Sequence, residues 1–91
     1  MPARRWIVEG QVQSVGFRWF VRERATVLGL TGTVRNLPDA SVEVIASGPD
    51  EKLDELETAL RKGPPAADVH QLRKLEPPDG IETGSGFTIS R

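Results

Sequence analysis

The chain has 91 residues, 37% hydrophobic and 27% charged, which suits one domain spanning 1–91 and leaves no room for a second. Twelve Lys and Arg against thirteen Asp and Glu give a formal net charge of −1, so the basic excess that serves generic nucleic-acid binding is missing. The absence of cysteine excludes disulfides, thiolate metal sites and cysteine nucleophiles.

No apolar run reaches the roughly 18 residues of a membrane span. The opening Met-Pro-Ala-Arg-Arg-Trp carries no apolar signal-peptide stretch. The expectation is a cytoplasmic, monomeric protein with neither a membrane nor a nucleic-acid partner. A domain this small buries somewhat over ~60% of the surface its unfolded chain exposes. That supports a two-layer core but no deep cavity for a large cofactor.

In chain order, Arg5 to Val12 alternates as a strand, with Trp6, Val8, Gly10 and Val12 on one face. A short loop, Gln13-Ser14-Val15-Gly16, follows. From Phe17 to Leu28 the apolar residues Phe17, Phe20, Val21, Ala25 and Leu28 recur at helical spacing, and Gly29 is a stop. Thr31–Leu37 and Ser41–Ser47 read as strands joined by Pro38-Asp39-Ala40, short enough for a hairpin.

A second helix opens at Gly48-Pro49-Asp50, with acids at its start and Arg61-Lys62 at its end, as the helix dipole favours. Leu53, Leu56 and Leu60 mark its buried side, and Gly63-Pro64-Pro65 ends it. Asp68–Leu75 is a less cleanly alternating strand, Pro77-Pro78-Asp79-Gly80 a loop, and Phe87-Thr88-Ile89 a short last strand. The order β-α-β-β-α-β plus a terminal strand predicts an α+β, ferredoxin-like sandwich: a mainly antiparallel sheet of four to five strands with two helices on one face.

The stretch from Gly10 to Arg18, Gly-Gln-Val-Gln-Ser-Val-Gly-Phe-Arg, ends a strand, turns, and begins a helix with an arginine in its first turn. Such a junction leaves backbone N–H groups unpaired at the positive end of a helix dipole, a favourable place for a phosphate. Arg18 can add a bidentate clamp, and Gly16 lets the backbone approach a ligand. A plain turn beside a solvated arginine fits the same residues. Asn36, before Leu-Pro-Asp, reads by itself as a turn-former. His70, the one histidine, reads as a surface strand residue. Arg35 is expected to be solvated. Trp19 lies off the apolar stripe, suited to pack on a strand edge or to rim the site.

This stretch resembles the acylphosphatase signature Gly-x-Val-Gln-Gly-Val-Gly-Phe-Arg, and Gly32-Thr-Val-Arg-Asn36 resembles that family's Gly-x-Val-x-Asn block. Gly63-Pro64, Val69 and Phe87-Thr-Ile89 also fit. The resemblance implies hydrolysis of acyl phosphates, small-molecule carboxyl–phosphate anhydrides, with no metal and no organic cofactor. By the same resemblance Arg18 is the phosphate-binding arginine and Asn36 orients the attacking water. Ser14, Val15, Gly16 and Phe17 then lend their backbone to the phosphate cradle.

Three departures stand out: Ser14 in place of glycine, Thr33 in place of a frequent aromatic, and Ala40 in place of a frequent turn glycine. If the backbone at Ser14 is left-handed, the serine costs roughly 1–2 kcal/mol. The alternative is therefore a non-catalytic phosphate- or anion-binding module on the same fold. An RNA-binding sheet, which needs exposed strand aromatics, has chiefly Trp6 to offer.

Overall fold

In a computed structural model, which describes residues 2–78 and 86–90, the chain runs β1 (Ala3–Gln11), α1 (Phe17–Val27), β2 (Thr31–Asn36), β3 (Val42–Ser47), α2 (Asp50–Lys62), β4 (Asp68–Leu75) and β5 (Phe87–Ile89). The five strands form one sheet in the order β4-β1-β3-β2-β5. The β1–β3, β1–β4 and β2–β3 pairs are antiparallel, and β2–β5 is parallel. This is the ferredoxin-like βαββαβ arrangement with an added parallel edge strand. The second half of the expected Pro77–Gly80 loop lies outside the described residues.

Strand alternation sorts the side chains into two layers. Trp6 and Val8 of β1, Val34 of β2, Val42, Val44 and Ala46 of β3, and Phe87 of β5 point to the helices. They meet Phe17, Val21 and Ala25 of α1 and Leu53, Leu56 and Leu60 of α2 in one core. Phe20 and Leu28 pack against its margin. Trp6 is 0% exposed and its Nε1 donates to Glu57 Oε1 at 2.9 Å. Trp6, the main strand aromatic that an RNA-binding sheet could have used, is thus consumed by the core.

Where β4 alternates poorly, its pairing with β1 shifts register between Glu9 and Gly10. The irregularity puts one extra residue on β4, so the period of two breaks there.

On the sheet face away from the helices, Glu43 is only 4% exposed and sits between two arginines. Arg5 Nε donates at 2.8 Å and Arg35 Nε at 2.7 Å to its two carboxylate oxygens. Arg35 is therefore paired rather than simply solvated: register places it directly opposite Glu43, whose carboxylate needs donors once it leaves water.

α1 ends in a double bond pattern, Gly29 N–H to the Thr26 carbonyl and Leu30 N–H to the Ala25 carbonyl. That wrap requires a left-handed residue after the last turn, and Gly29, at φ 73, supplies it. α2 opens on Pro49, carries Asp50 and Glu51 in its first turn and closes on Arg61 and Lys62, each favourable to its dipole.

Candidate active site

β1 and β2 both run antiparallel to β3, so they point the same way and end at the same edge of the sheet. Val8 and Asn36 each pair with Val42, which sets Asn36 level with Val8, near the end of β1. Asn36 alternates with Val34, so its side chain faces the helix layer. The loop leaving β1 arrives in that same layer and starts α1. Residues 18 and 36, far apart in sequence, are thereby brought to one end of the fold.

The β1–α1 loop is built to leave amides free. Gly16 caps α1 in the left-handed conformation, φ 75 and ψ 16, with no side-chain cap bond. The first helical bond runs from Phe20 N–H to the Gly16 carbonyl at 3.0 Å. The amides of Phe17, Arg18 and Trp19 precede it and have no intrahelical acceptor. A β-carbon on Gly16 would meet no neighbouring atom within 4 Å, so glycine serves the backbone angle here, not packing. Ser14 also lies in the left-handed region, at φ 61.

These elements enclose a cavity of about 150 Å³, lined by Val12, Ser14, Gly16, Phe17, Arg18, Trp19, Asn36 and Ile89. Arg18 and Asn36 share it. Among the described residues no carboxylate forms an ion pair with Arg18. The Oδ1 atom of Asn36 is buried without a hydrogen-bond partner among the described residues. A buried polar atom left unpaired costs free energy, about 1–3 kcal/mol, so this one needs a reason.

Of the residues expected to form the cradle, Ser14, Gly16 and Phe17 line the cavity. Val15 does not; its side chain packs against the core. Among the described residues no group of three or more His, Asp or Glu side chains is placed to hold a metal ion, and no helix is long and apolar enough to cross a membrane. His70 is exposed beside Asp68 and is not among the residues that line the cavity.

A protein-family model described as acylphosphatase matches residues 4–89. The chain belongs to the acylphosphatase family of enzymes. It is 52% identical over 86 residues to a protein named acylphosphatase from Caldivirga maquilingensis, covering 93% of this chain and 90% of that one. The crystal structure of an acylphosphatase from Bacillus subtilis superposes with a TM-score of 0.92 at 36% identity, over 100% of both chains. A structure of an acylphosphatase from Coxiella burnetii gives a TM-score of 0.87 at 36% identity, over 97% of this chain and 90% of that one.

In this acylphosphatase-family chain, two contributions to the cavity escape sequence reasoning. Gln13 reads as one more loop residue, yet its Nε2 donates to the carbonyls of Leu37 at 2.9 Å and Ser41 at 2.8 Å. It ties the loop that carries the arginine to the hairpin that carries the asparagine. No spacing rule could reveal a bond across 24 or 28 residues. Val12 and Ile89 supply apolar wall; in sequence each is simply a strand residue. Trp19 has a place as well: it lines the cavity and remains 59% exposed, so it forms part of the rim.

Proposed function

We propose that this chain hydrolyses acyl phosphates, with Arg18 and the free amides of the 14–18 loop binding the phosphoryl group and Asn36 orienting the attacking water. The observation that carries this reading is the shared cavity: an arginine without a carboxylate partner among the described residues and an asparagine whose buried oxygen has no partner among them line the same 150 Å³ space. Membership of the family and relatives named acylphosphatase support the reaction class.

The chemistry suits so spare a site. The leaving group is a carboxylate, whose conjugate acid has a pKa near ~4, so it departs without a general acid. What the phosphoryl group needs is position and compensation of its charge. Water attacks phosphorus, the phosphorus–oxygen bond to the acyl group breaks, and the bonding pair leaves with the carboxylate. The proton released by the water passes to a phosphoryl oxygen. Arg18 answers the charge on the phosphoryl oxygens with two parallel donors. Asn36 accepts from the water through Oδ1 and sets its line of attack.

The non-catalytic alternative rests on Ser14. At φ 61 its backbone already has the left-handed conformation that a glycine takes freely, so the cradle keeps its shape with the serine in place. The substitution therefore gives no backbone reason for binding without turnover.

Purified protein is expected to hydrolyse acetyl phosphate in the presence of a chelator. Arg18→Ala should lower kcat/KM by roughly 10²–10³-fold or more, the usual consequence of removing one preorganised donor, and Asn36→Ala should lower kcat more than it raises KM. A folded Arg18→Ala protein with wild-type turnover would defeat the proposal.

A further inference from the structure

The cavity is small for the substrate it is proposed to take. At about 150 Å³ it holds the equivalent of roughly five liquid waters at ~30 Å³ each, half or less of an ordinary ligand pocket of ~300 Å³ or more. A phosphoryl group and one water occupy that space. The acyl arm must then leave through the mouth, and the mouth has a particular composition.

Trp19 stands there, partly in the cavity wall and 59% exposed to solvent. It is held in place: the Arg22 guanidinium carbon lies 5.0 Å from the centroid of the indole, within cation–π range, and the pair sits at i and i+3 on α1. Arg22 covers one face of the ring and leaves the opposite face uncovered by that contact. Ile89 adds apolar surface to the wall, and it also lines a second, neighbouring depression with Arg22, Phe87 and Thr88. A polar interior thus opens on an aromatic and aliphatic rim.

From this arrangement, and resting on the hydrolytic reading above, we infer that Trp19 is a specificity-determining residue that receives the acyl arm and favours acyl phosphates with an aromatic or bulky apolar acyl group over acetyl phosphate. The physical basis is contact between a flat apolar arm and the indole, a preference of the size usual for aromatic pairs. In rate or affinity that corresponds to about two- to tenfold. Arg22 acts through Trp19 as a positioning residue, restricting the ring's rotamers so that less freedom is lost on contact.

The test has a kinetic arm and a binding arm. In the kinetic arm, the ratio of kcat/KM for benzoyl phosphate to that for acetyl phosphate is measured for wild type, Trp19→Ala, Trp19→Phe and Arg22→Met. The ratio should fall several-fold in Trp19→Ala, largely recover in Trp19→Phe, and fall by less in Arg22→Met. In the binding arm, calorimetry compares benzylphosphonate with methylphosphonate, neither of which can turn over. Wild type should prefer the benzyl compound, and Trp19→Ala should lose that preference. Equal affinities in wild type, or a preference that survives Trp19→Ala, overturns the inference while leaving the phosphate site intact. Aryl-selective phosphonate binding without any acyl phosphate turnover would instead sink the hydrolytic reading and uphold the role of Trp19. If neither phosphonate binds, both readings fall.

Discussion

Among the described residues, two sit in backbone conformations that their side chains do not favour. Ser14, at φ 61, lies in the site loop; Ala40, at φ 76, lies in the β2–β3 turn. The second has a clear local cause. Ala40 N–H bonds to the Leu37 carbonyl and Leu37 N–H to the Ser41 carbonyl, a three-residue hairpin whose last position is left-handed. Pro38 suits the second position of its turn, and Asp39 Oδ1 accepts from Ser41 N–H. Ala40 therefore keeps the geometry of a turn glycine.

For Ser14 the strain is about 1–2 kcal/mol, set against about 0.4–1 kcal/mol of extra unfolded-chain entropy if glycine replaced it. Ser14→Gly is therefore expected to stabilise the protein by about 0.5–1 kcal/mol, read as a higher urea midpoint at unchanged slope. An unchanged or lower midpoint would mean that the hydroxyl holds the loop by a contact that repays the strain.

At the scale of elements, the site depends on two pieces of chain that are not neighbours in sequence keeping their relative position. The β1–α1 loop bears Arg18, and the end of β2 bears Asn36. Gln13 bridges them through the Leu37 and Ser41 carbonyls. Gln13→Ala removes two hydrogen bonds of about 1 kcal/mol each, so a stability loss of about 1–2 kcal/mol is expected in urea denaturation. Because each carbonyl keeps a backbone partner from the turn, the hairpin itself should persist. The functional effect should exceed the thermodynamic one. Misplacement of reacting groups by about 1 Å can cost ~10²-fold in rate, so kcat for acyl phosphate hydrolysis should fall further than the stability change suggests. Wild-type kcat in a destabilised Gln13→Ala protein would show that the bridge serves folding alone.

For the molecule as a whole, acid sensitivity follows from Glu57, on the inner side of α2. Burial pushes its pKa up, but donation from Trp6, Lys74 and Arg61 outweighs this and holds it below its ordinary 4.5. Asp39, fully exposed, is also held low, chiefly by the Ser41 hydroxyl and then by its amide. A carboxylate with a depressed folded-state pKa binds fewer protons folded than unfolded. Its stabilisation is complete above about pH 4.5 and is lost as pH falls through the lower, folded value. Wild type should therefore lose more stability between pH 7 and pH 3 than Glu57→Gln does, with urea midpoints as the measurement. Equal losses would move the acid-labile interaction elsewhere.

Periodicity and turn chemistry determined the elements and their order. The stripes of α1 and α2, the alternation of β1 to β3 and the breaks at Gly29 and Gly63 are local, and a local pattern is legible in a linear sequence. The motif from Gly10 to Arg18 likewise named the loop, because a strand, a glycine cap and an arginine are adjacent in the chain. Only the tertiary structure decided that Asn36 stands beside that loop, that Trp19 rims the cavity with Arg22 across its ring, and that Gln13 links loop to hairpin. Arg35 and Glu43 meet on neighbouring strands for the same reason. Each of these depends on sheet register and on how a helix seats against strands, and such distances are set by packing the whole core at once.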